Sequence, residues 1–319
     1  MATINDVSRL AKVSKATVSR VLTGSRGVRE ESRQSVLKAV EALQYRPSVL
    51  AQNLANQRSN CVGVILKRSD SQLIAEALPK LAKGIQAQDL EMLVSFVDHS
   101  QAIYEQIERL ETSSAAAIIV LSETDEDYSG ERLISLSGTT SGCIHYDHRF
   151  ACESATRYLL SQGHQQIALW LDDDAMAISE QLKEGYKTAL ENKSIPLNRQ
   201  LIIHGQRGVE QPLLELLNRY LPFTALMTRC DSEAAIAMRL LRQFNIAVPQ
   251  EVSVMSLEDS PLAQQLTPPL TCIHYPLDQL VDVALQRLKG VLHQRLDRSE
   301  PDELSGRLVI RESVLPATR

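Results

Sequence analysis

No apolar run in this 319-residue sequence is longer than the seven residues from Ala115 to Leu121. A membrane-spanning helix needs about 18 to 20, so none is expected, and the N-terminus lacks the basic-then-apolar segment of a secretion signal. These absences place the expected compartment in the cytosol. The five cysteines (Cys61, Cys143, Cys152, Cys230, Cys272) form no C-x-x-C pair and have no histidine at ligand spacing, which argues against a zinc site and a disulfide framework. Reduced, mostly buried thiols are the expectation. Also absent are G-x-S-x-G, H-E-x-x-H, a P-loop and G-x-G-x-x-G, so no metal or cofactor is expected and an enzyme is disfavoured.

Three features that could suggest chemistry read more simply. The carboxylates of Asp172-Asp173-Asp174 point in different directions without further oxygen donors, as in a solvated strand-end loop. His145 and His148 flank Asp147 with no third ligand at zinc spacing. His164, in the turn QGHQQ, has no partner nucleophile and is expected to be satisfied by backbone hydrogen bonds.

With 44% hydrophobic and 23% charged residues, the chain can bury the cores of about two domains. Its charge is unevenly placed: residues 1–60 carry ten Lys or Arg against four Asp or Glu, a segment of +6, and the remainder is −11. A basic head on an acidic body suits a head that meets a polyanion.

Within the head, Thr3 and Asp6 have capping-box spacing, and Ile4, Val7, Leu10 and Ala11 follow with helical periodicity to about Lys12. Ser14 offers the next N-cap, and Gly24 is placed to end that second helix. Val18, Val21 and Leu22 should face inward, leaving Lys15, Ala16, Ser19 and Arg20 outward. A third helix from Glu30 to Leu43 should turn Val36, Leu37, Val40 and Leu43 to the core. The outward face suits major-groove readout: Arg20 can give two hydrogen bonds to guanine, Lys15 can reach a base edge or phosphate, and the Thr17 and Ser19 hydroxyls suit phosphates. A plain amphipathic helix pair with solvated charges would share much of this pattern. After Tyr45-Arg46-Pro47, residues 48–57 spell one short helix that nucleates poorly alone. It could order on DNA with Leu54 wedged into the minor groove, or serve as a linker whose Leu50 and Leu54 pack on the body.

The runs TINDVSRLAKVSKATVSRVLTG and YRPSVLAQNLA resemble the head and hinge of the lactose/galactose repressor (LacI/GalR) family of bacterial transcription regulators. The resemblance implies domains at 1–46 (helix-turn-helix), 47–58 (hinge helix) and 59–319 (effector binding and dimerisation). It puts Lys15 and Ala16 on base-reading positions, Arg20 on the recognition-helix arginine and Leu54 on the intercalating leucine. The DNA-facing set is then Thr3, Ser14, Lys15, Ala16, Thr17, Ser19 and Arg20, joined by Ala51, Asn53 and Leu54. Lys12 replaces the usual turn glycine and Arg29 the usual small cap, each at a cost of about 1 kcal/mol.

Beyond Cys61, β-rich runs (62–66, 92–97, 117–121, 167–171, 201–204, 225–228, 252–257) alternate with helical stretches, the pattern of parallel sheets flanked by helices. LLSQGHQQIALW, EGYKTAL, FTALMTRCDSEAAIAMRLL, VPQEVSVMSLEDS and TPPLTCIHYPL resemble the family's body, and IHYDHRF through the Gly163-His164 turn, IHYP and RLVIRESV resemble its galactose-type branch. The implied fold class is α/β: a three-helix helix-turn-helix head plus a two-lobed, periplasmic-binding-protein-like body with parallel sheets. The resemblance further implies a homodimeric repressor of a carbohydrate-related operon on a pseudo-palindromic DNA operator, with a sugar or sugar-phosphate effector. The corresponding effector positions are Ser69, Asp70, Lys183, Asp231 and Glu258. Several depart from the family: Lys183 stands for an arginine, Cys230-Asp231 for Asn-Asp, Glu258 for aspartate, and Leu133 to Tyr146 is short for its usual strand and loop. A neutral sugar, an anionic effector drawn by Lys67, Arg68, Lys183 and Arg229, and a lost response all stay open. A cytosolic small-molecule binding protein is the alternative.

Overall fold

The computed structural model describes residues 3–22, 28–43, 60–68, 73–99, 101–122, 126, 128, 130–135, 144–172, 176–205, 210–219, 222–293 and 302–317. The chain divides into two compact units, Met1–Asn60 with Ser113–Ala115, and Cys61–Thr112 with Ala116–Arg319.

The first unit holds α1 (Ile4–Ala11), α2 (Lys15–Leu22) and α3 (Glu30–Ala42). Their core is Val7, Ala11, Val18, Val21, Val36 and Ala39, with Ile4, Leu22, Val40 and Leu43 packed against it. Leu37, expected in that core, lies outside it at 45% exposure, and Leu10 of the first helix's apolar period is 52% exposed. On α3 the inward row is 36, 39, 40 and 43, and Leu37 stands about 100° round from Val36; Ala39 takes the place assigned to it. On α1 the inward pair is Val7 and Ala11, one turn apart, so Leu10 falls off the face.

The Asp6 carboxylate accepts from the Thr3 backbone N–H at 2.9 Å and from its hydroxyl at 2.7 Å. These bonds, the hydroxyl's first, hold Asp6 below the usual carboxylate range. α1 ends at Lys12, whose φ of 53° lets the Val13 N–H reach the Ser8 carbonyl at 3.2 Å. That is a Schellman-type stop made without glycine. Arg29 begins α3 with no side-chain cap, while Glu30 and Glu31 lie in the first turn, where the helix dipole favours them.

The second unit has two lobes. In the first, β1 (Cys61–Lys67), β2 (Glu91–Val97), β3 (Ala117–Val120) and β4 (Leu133–Ser135) form a parallel sheet in the order β2-β1-β3-β4. It packs with a π-helical turn at Leu73–Ala77, α4 (Leu78–Gln86) and α5 (Gln101–Thr112). After β5 (Ile144–Tyr146), the second lobe runs α6 (His148–Ser161), β6 (Ile167–Asp172), α7 (Met176–Glu191), β7 (Ile202–Gly205), α8 (Gln211–Asn218), β8 (Ala225–Thr228), α9 (Asp231–Gln243), β9 (Ser253–Ser256), α10 (Pro261–Gln265) and β10 (Thr271–His274). The chain then returns to the first lobe as α11 (Leu277–Leu292), which packs on α4, β3 and β4. It closes with β11 (Asp302–Leu304), parallel to β5, and β12 (Arg307–Val309), antiparallel to β10. The second sheet has the order β12-β10-β9-β8-β6-β7.

The fully buried β3, β8 and β9 are the apolar runs expected of parallel strands covered on both faces. The stretch Leu133 to Tyr146, judged too short for the usual strand and loop, holds two strands of three residues each. In α7, a Cβ on Gly185 would stand 2.1 Å from the Arg149 carbonyl oxygen, so the close approach of α6 and α7 requires glycine. Beside it the Tyr186 hydroxyl donates to the Ile167 carbonyl at 2.8 Å. Cys152, Cys230 and Cys272 are buried and Cys61 half-buried; burial pushes the Cys152 thiol up to about 12. Cys143 lies outside the described residues. Among those described, no helix is long and apolar enough to cross a membrane.

His164 is buried, and the expected backbone bond is present at one ring nitrogen only: Nε2 lies 2.9 Å from the Leu315 carbonyl, whereas Nδ1 lies 2.9 Å from the Thr224 side-chain hydroxyl. The carbonyl only accepts, so Nε2 carries the proton and Nδ1 accepts from Thr224.

Two stability predictions follow from these contacts. Lys12→Gly should stabilise the head by about 1 kcal/mol by relieving a left-handed residue, read as a raised denaturation midpoint. Desolvation lowers the His164 pKa, against a smaller opposing effect of the Leu315 carbonyl. Its contribution should be complete above about pH 6.5, the ordinary histidine value, and decline as pH falls below it. Urea unfolding at pH 7.5 and 5.5 should show that decline in the native chain and a smaller one in His164→Gln.

Candidate nucleic-acid interface and effector cleft

The start of α2 is fixed locally. Ser14 Oγ accepts from the Thr17 N–H at 3.1 Å and lies 2.9 Å from the Thr17 hydroxyl, a side-chain N-cap. With that end set, Val18 and Val21 are buried, while Lys15, Ala16 and Arg20 are exposed and Thr17 and Ser19 half-buried. Lys15, Ala16, Ser19 and Arg20 therefore form one outward face spanning a single turn. The Thr17 hydroxyl is engaged with the cap, and Thr3 gives its hydroxyl to Asp6; both act first as helix-start residues. Ala51, Asn53 and Leu54 lie outside the described residues, as does the rest of the expected hinge helix.

In the body, the order of the first sheet reverses between β1 and β3, and that of the second between β6 and β8. Ligand crevices in such sheets open at the carboxyl ends of the strands beside the reversal. β1 ends at Lys67, whose N–H donates to Ser122 Oγ at 3.2 Å. Arg68 follows and pairs with Asp98 at 2.9 Å. Ser69 and Asp70 lie outside the described residues.

In the second lobe, β8 leads directly to Asp231 at the first position of α9. Its carboxylate is buried and accepts from the Ser260 N–H at 2.6 Å. Burial raises its pKa, opposed by hydrogen bonds from Ser260 and Ser256. Thus Asp231 ties the end of β8 to the loop after β9. Glu258 lies in that loop, its N–H donating to Ser256 Oγ at 3.0 Å. Lys183 sits on α7 and pairs with Glu180 at 2.9 Å. Arg229 pairs through Nη2 with the wholly buried Glu233, whose second oxygen accepts the Arg229 N–H at 3.2 Å.

Sequence reasoning missed a polar knot beside Asp231. Arg311 Nη2 donates to Asp259 Oδ1 at 2.7 Å, and its Nη1 donates to the Leu270 carbonyl at 2.7 Å and approaches Cys272 Sγ at 3.3 Å. The second Asp259 oxygen is 3.1 Å from His274 Nδ1. The Cys272 thiol donates to the Leu270 carbonyl at 3.1 Å and faces Asp231 at 3.9 Å. No local pattern announces this set, because its members come from the loop after β9, from β10 and from the segment after β12. Among the described residues, no group of three His, Cys, Asp or Glu is placed to hold a metal ion.

Comparison with known proteins places both units. Residues 3–48 match the model of bacterial regulatory proteins of the lacI family, and residues 156–314 that of the periplasmic binding protein-like domain. The HTH-type transcriptional regulator GalR of Escherichia coli K12 is 32% identical, the match covering 98% of this chain and 96% of that protein. AscG, an HTH-type transcriptional regulator of the same organism, is 30% identical over the full length of both. The crystal structure of the lac repressor dimer bound to operator and the anti-inducer ONPF superposes with a TM-score of 0.82 at 23% identity, covering 98% of this chain and 99% of that one, a likeness of fold. A capped helix with an outward Lys-Ala-Arg face, a two-lobed body and full-length relatives lead to one conclusion: the chain belongs to the lacI family of bacterial transcription regulators.

Proposed function

We propose that this regulator is a repressor that binds a pseudo-palindromic operator as a homodimer, each α2 reading one half-site, with a small carbohydrate as effector. The observation that carries the reading is the outward face of Lys15, Ala16 and Arg20 above the buried Val18 and Val21. It is fixed by the Ser14 cap on a head whose net charge is positive. Arg20 has the geometry for guanine O6 and N7, and Lys15 and Ser19 reach for the flanking backbone. The lac repressor's dimer on its operator supports the same arrangement here. The chain acts by binding and carries out no chemistry.

A homodimer needs a self-complementary surface. β2, an edge strand, exposes Leu93 at 50% and Phe96 at 45%, and we assign that edge to the contact between copies. For the effector, Arg229, Arg311 and Lys183 each already face a carboxylate, of Glu233, Asp259 and Glu180. Asp231 and Glu258 add acid at the same strand ends. That balance favours an uncharged, hydroxyl-rich molecule over a phosphorylated one, which would meet Lys67 but would have to displace a carboxylate from Arg229, Arg311 or Lys183.

Selection from a randomised double-stranded DNA pool should enrich a palindrome. Arg20→Ala should weaken binding to it by about 1 to 3 kcal/mol and relax base preference at one position per half-site; unchanged discrimination in a titration refutes the assignment. Phe96→Glu should convert a sedimenting dimer to monomer at micromolar concentration and weaken operator binding with it, whereas a persistent dimer would move the interface elsewhere.

A further inference from the structure

The body chain passes between its lobes three times: from β5 to α6 at 146–148, from β10 to α11 at 274–277, and from β11 to β12 at 304–307. The third pass is bonded to both others. Leu304 is paired with Tyr146 in the β5–β11 ladder, and its carbonyl accepts the Asp147 N–H at 2.9 Å. Arg307 is paired with His274 in the β10–β12 ladder. The segment is therefore a splint, hydrogen-bonded to the first pass on one side of Gly306 and to the second on the other.

At the centre of the three passes lie two aromatic rings. Tyr146 and Tyr275 stack with centroids 4.1 Å apart and planes 24° apart, and His148 meets Tyr146 edge-on at 4.8 Å. Both tyrosines are buried. Gly306 presses its backbone on this stack: a Cβ there would stand 2.3 Å from the Tyr146 hydroxyl oxygen and 2.5 Å from Ile273 Cγ2. All three passes thus contribute to one contact, which contains flat rings and a residue with no side chain. Offset-stacked and edge-on rings attract through their quadrupoles as well as through burial, so this contact fixes how the first two passes lie against each other, and the splint keeps the passes from separating.

We propose that the Tyr146–Tyr275 stack is the pin about which the two lobes turn, and that Tyr146, Tyr275 and Gly306 are positioning residues that set the angle between the lobes. If the lobe angle controls operator affinity, as the repressor reading holds, the pin also sets the response of DNA binding to whatever occupies the cleft. That second step rests on the repressor reading, whereas the first does not.

The test measures the interlobe distance directly. Spin labels at Glu108→Cys on α5 and Arg242→Cys on α9, both exposed positions, are placed in full-length chain carrying Cys61→Ser and Cys143→Ser. Labelled chain is diluted with unlabelled chain so that each dimer carries one label pair. Pulsed dipolar spectroscopy is run without DNA or any small molecule. Tyr275→Leu, which removes the ring, should displace or broaden the distance distribution, and Tyr275→Phe, which keeps it, should leave the distribution as in the parent. Gly306→Ala should act like the leucine variant by pushing Tyr146 aside, and it keeps the test decisive if Tyr275→Leu does not fold. On the selected operator, the two disruptive variants should change affinity by at least about fivefold and the phenylalanine variant should not. A folded Tyr275→Leu or Gly306→Ala chain with the parental distribution overturns the pin, as does a phenylalanine variant displaced as far as the leucine one. A displaced distribution in a chain that selects no operator would uphold the pin and defeat the repressor reading alone.

Discussion

The body depends on one constraint: a chain that crosses three times between two sheets must bring all three crossings to one place. Parallel strands need long connections on the faces of their sheet, and here each lobe is finished by segments that return from the other. α11 comes back from β10 to cover the first sheet, and the last segment serves β5 and then β10. Backbone ladders, the stacked Tyr146 and Tyr275 and the bare backbone of Gly306 satisfy this in a small volume. A side chain at position 306 would press on Tyr146 and Ile273.

The strand ends around the cleft show a second regularity, the matching of each guanidinium with an internal acid. Burying Arg229 beside Glu233 and Arg311 beside Asp259 satisfies charges that would otherwise be costly, and it ties elements together. Asp259 joins the loop after β9 to β10 and to the segment after β12; Asp231 joins α9 to the same loop. The departures from the family's pattern at Cys230 and Glu258 thus sit within a framework of bonds that keeps the cleft wall rigid.

The head works on a smaller scale and by local means. Its core is six small or β-branched side chains, so its stability rests heavily on helix ends: the Ser14 cap, the Thr3–Asp6 pair and the left-handed Lys12. The uncapped Arg29 and the strained Lys12 make it a head with little reserve.

How much of this was legible in the sequence follows from the range of the forces involved. The register of α2, its inward valines and its outward Lys15, Ala16 and Arg20 are set by a cap and a 3.6-residue period within ten residues, and all are visible in the string. So are the seven strands β1, β2, β3, β6, β7, β8 and β9 and the turn at His164. The periodicity failed at Leu10 and Leu37, where the angular width of the partner face decides which neighbour of a buried residue is itself buried. The three-residue strands β4, β5, β11 and β12 are too short to carry a pattern and exist because neighbouring strands pair with them; β10, four residues long like β3, β7, β8 and β9, went unread as well. Lys183, Asp231 and Glu258 could be placed near a cleft by resemblance, but their partners Glu180, Ser260 and Ser256 could not. The sequence by itself determined a capped, basic reading head on an α/β body, because caps, periods and net charge are local sums. Only the tertiary structure decided the Arg311–Asp259–His274 knot and the Tyr146–Tyr275 junction, because the first exists only once β9, β10 and β12 lie side by side in one sheet and the second only once the crossings between the two sheets converge.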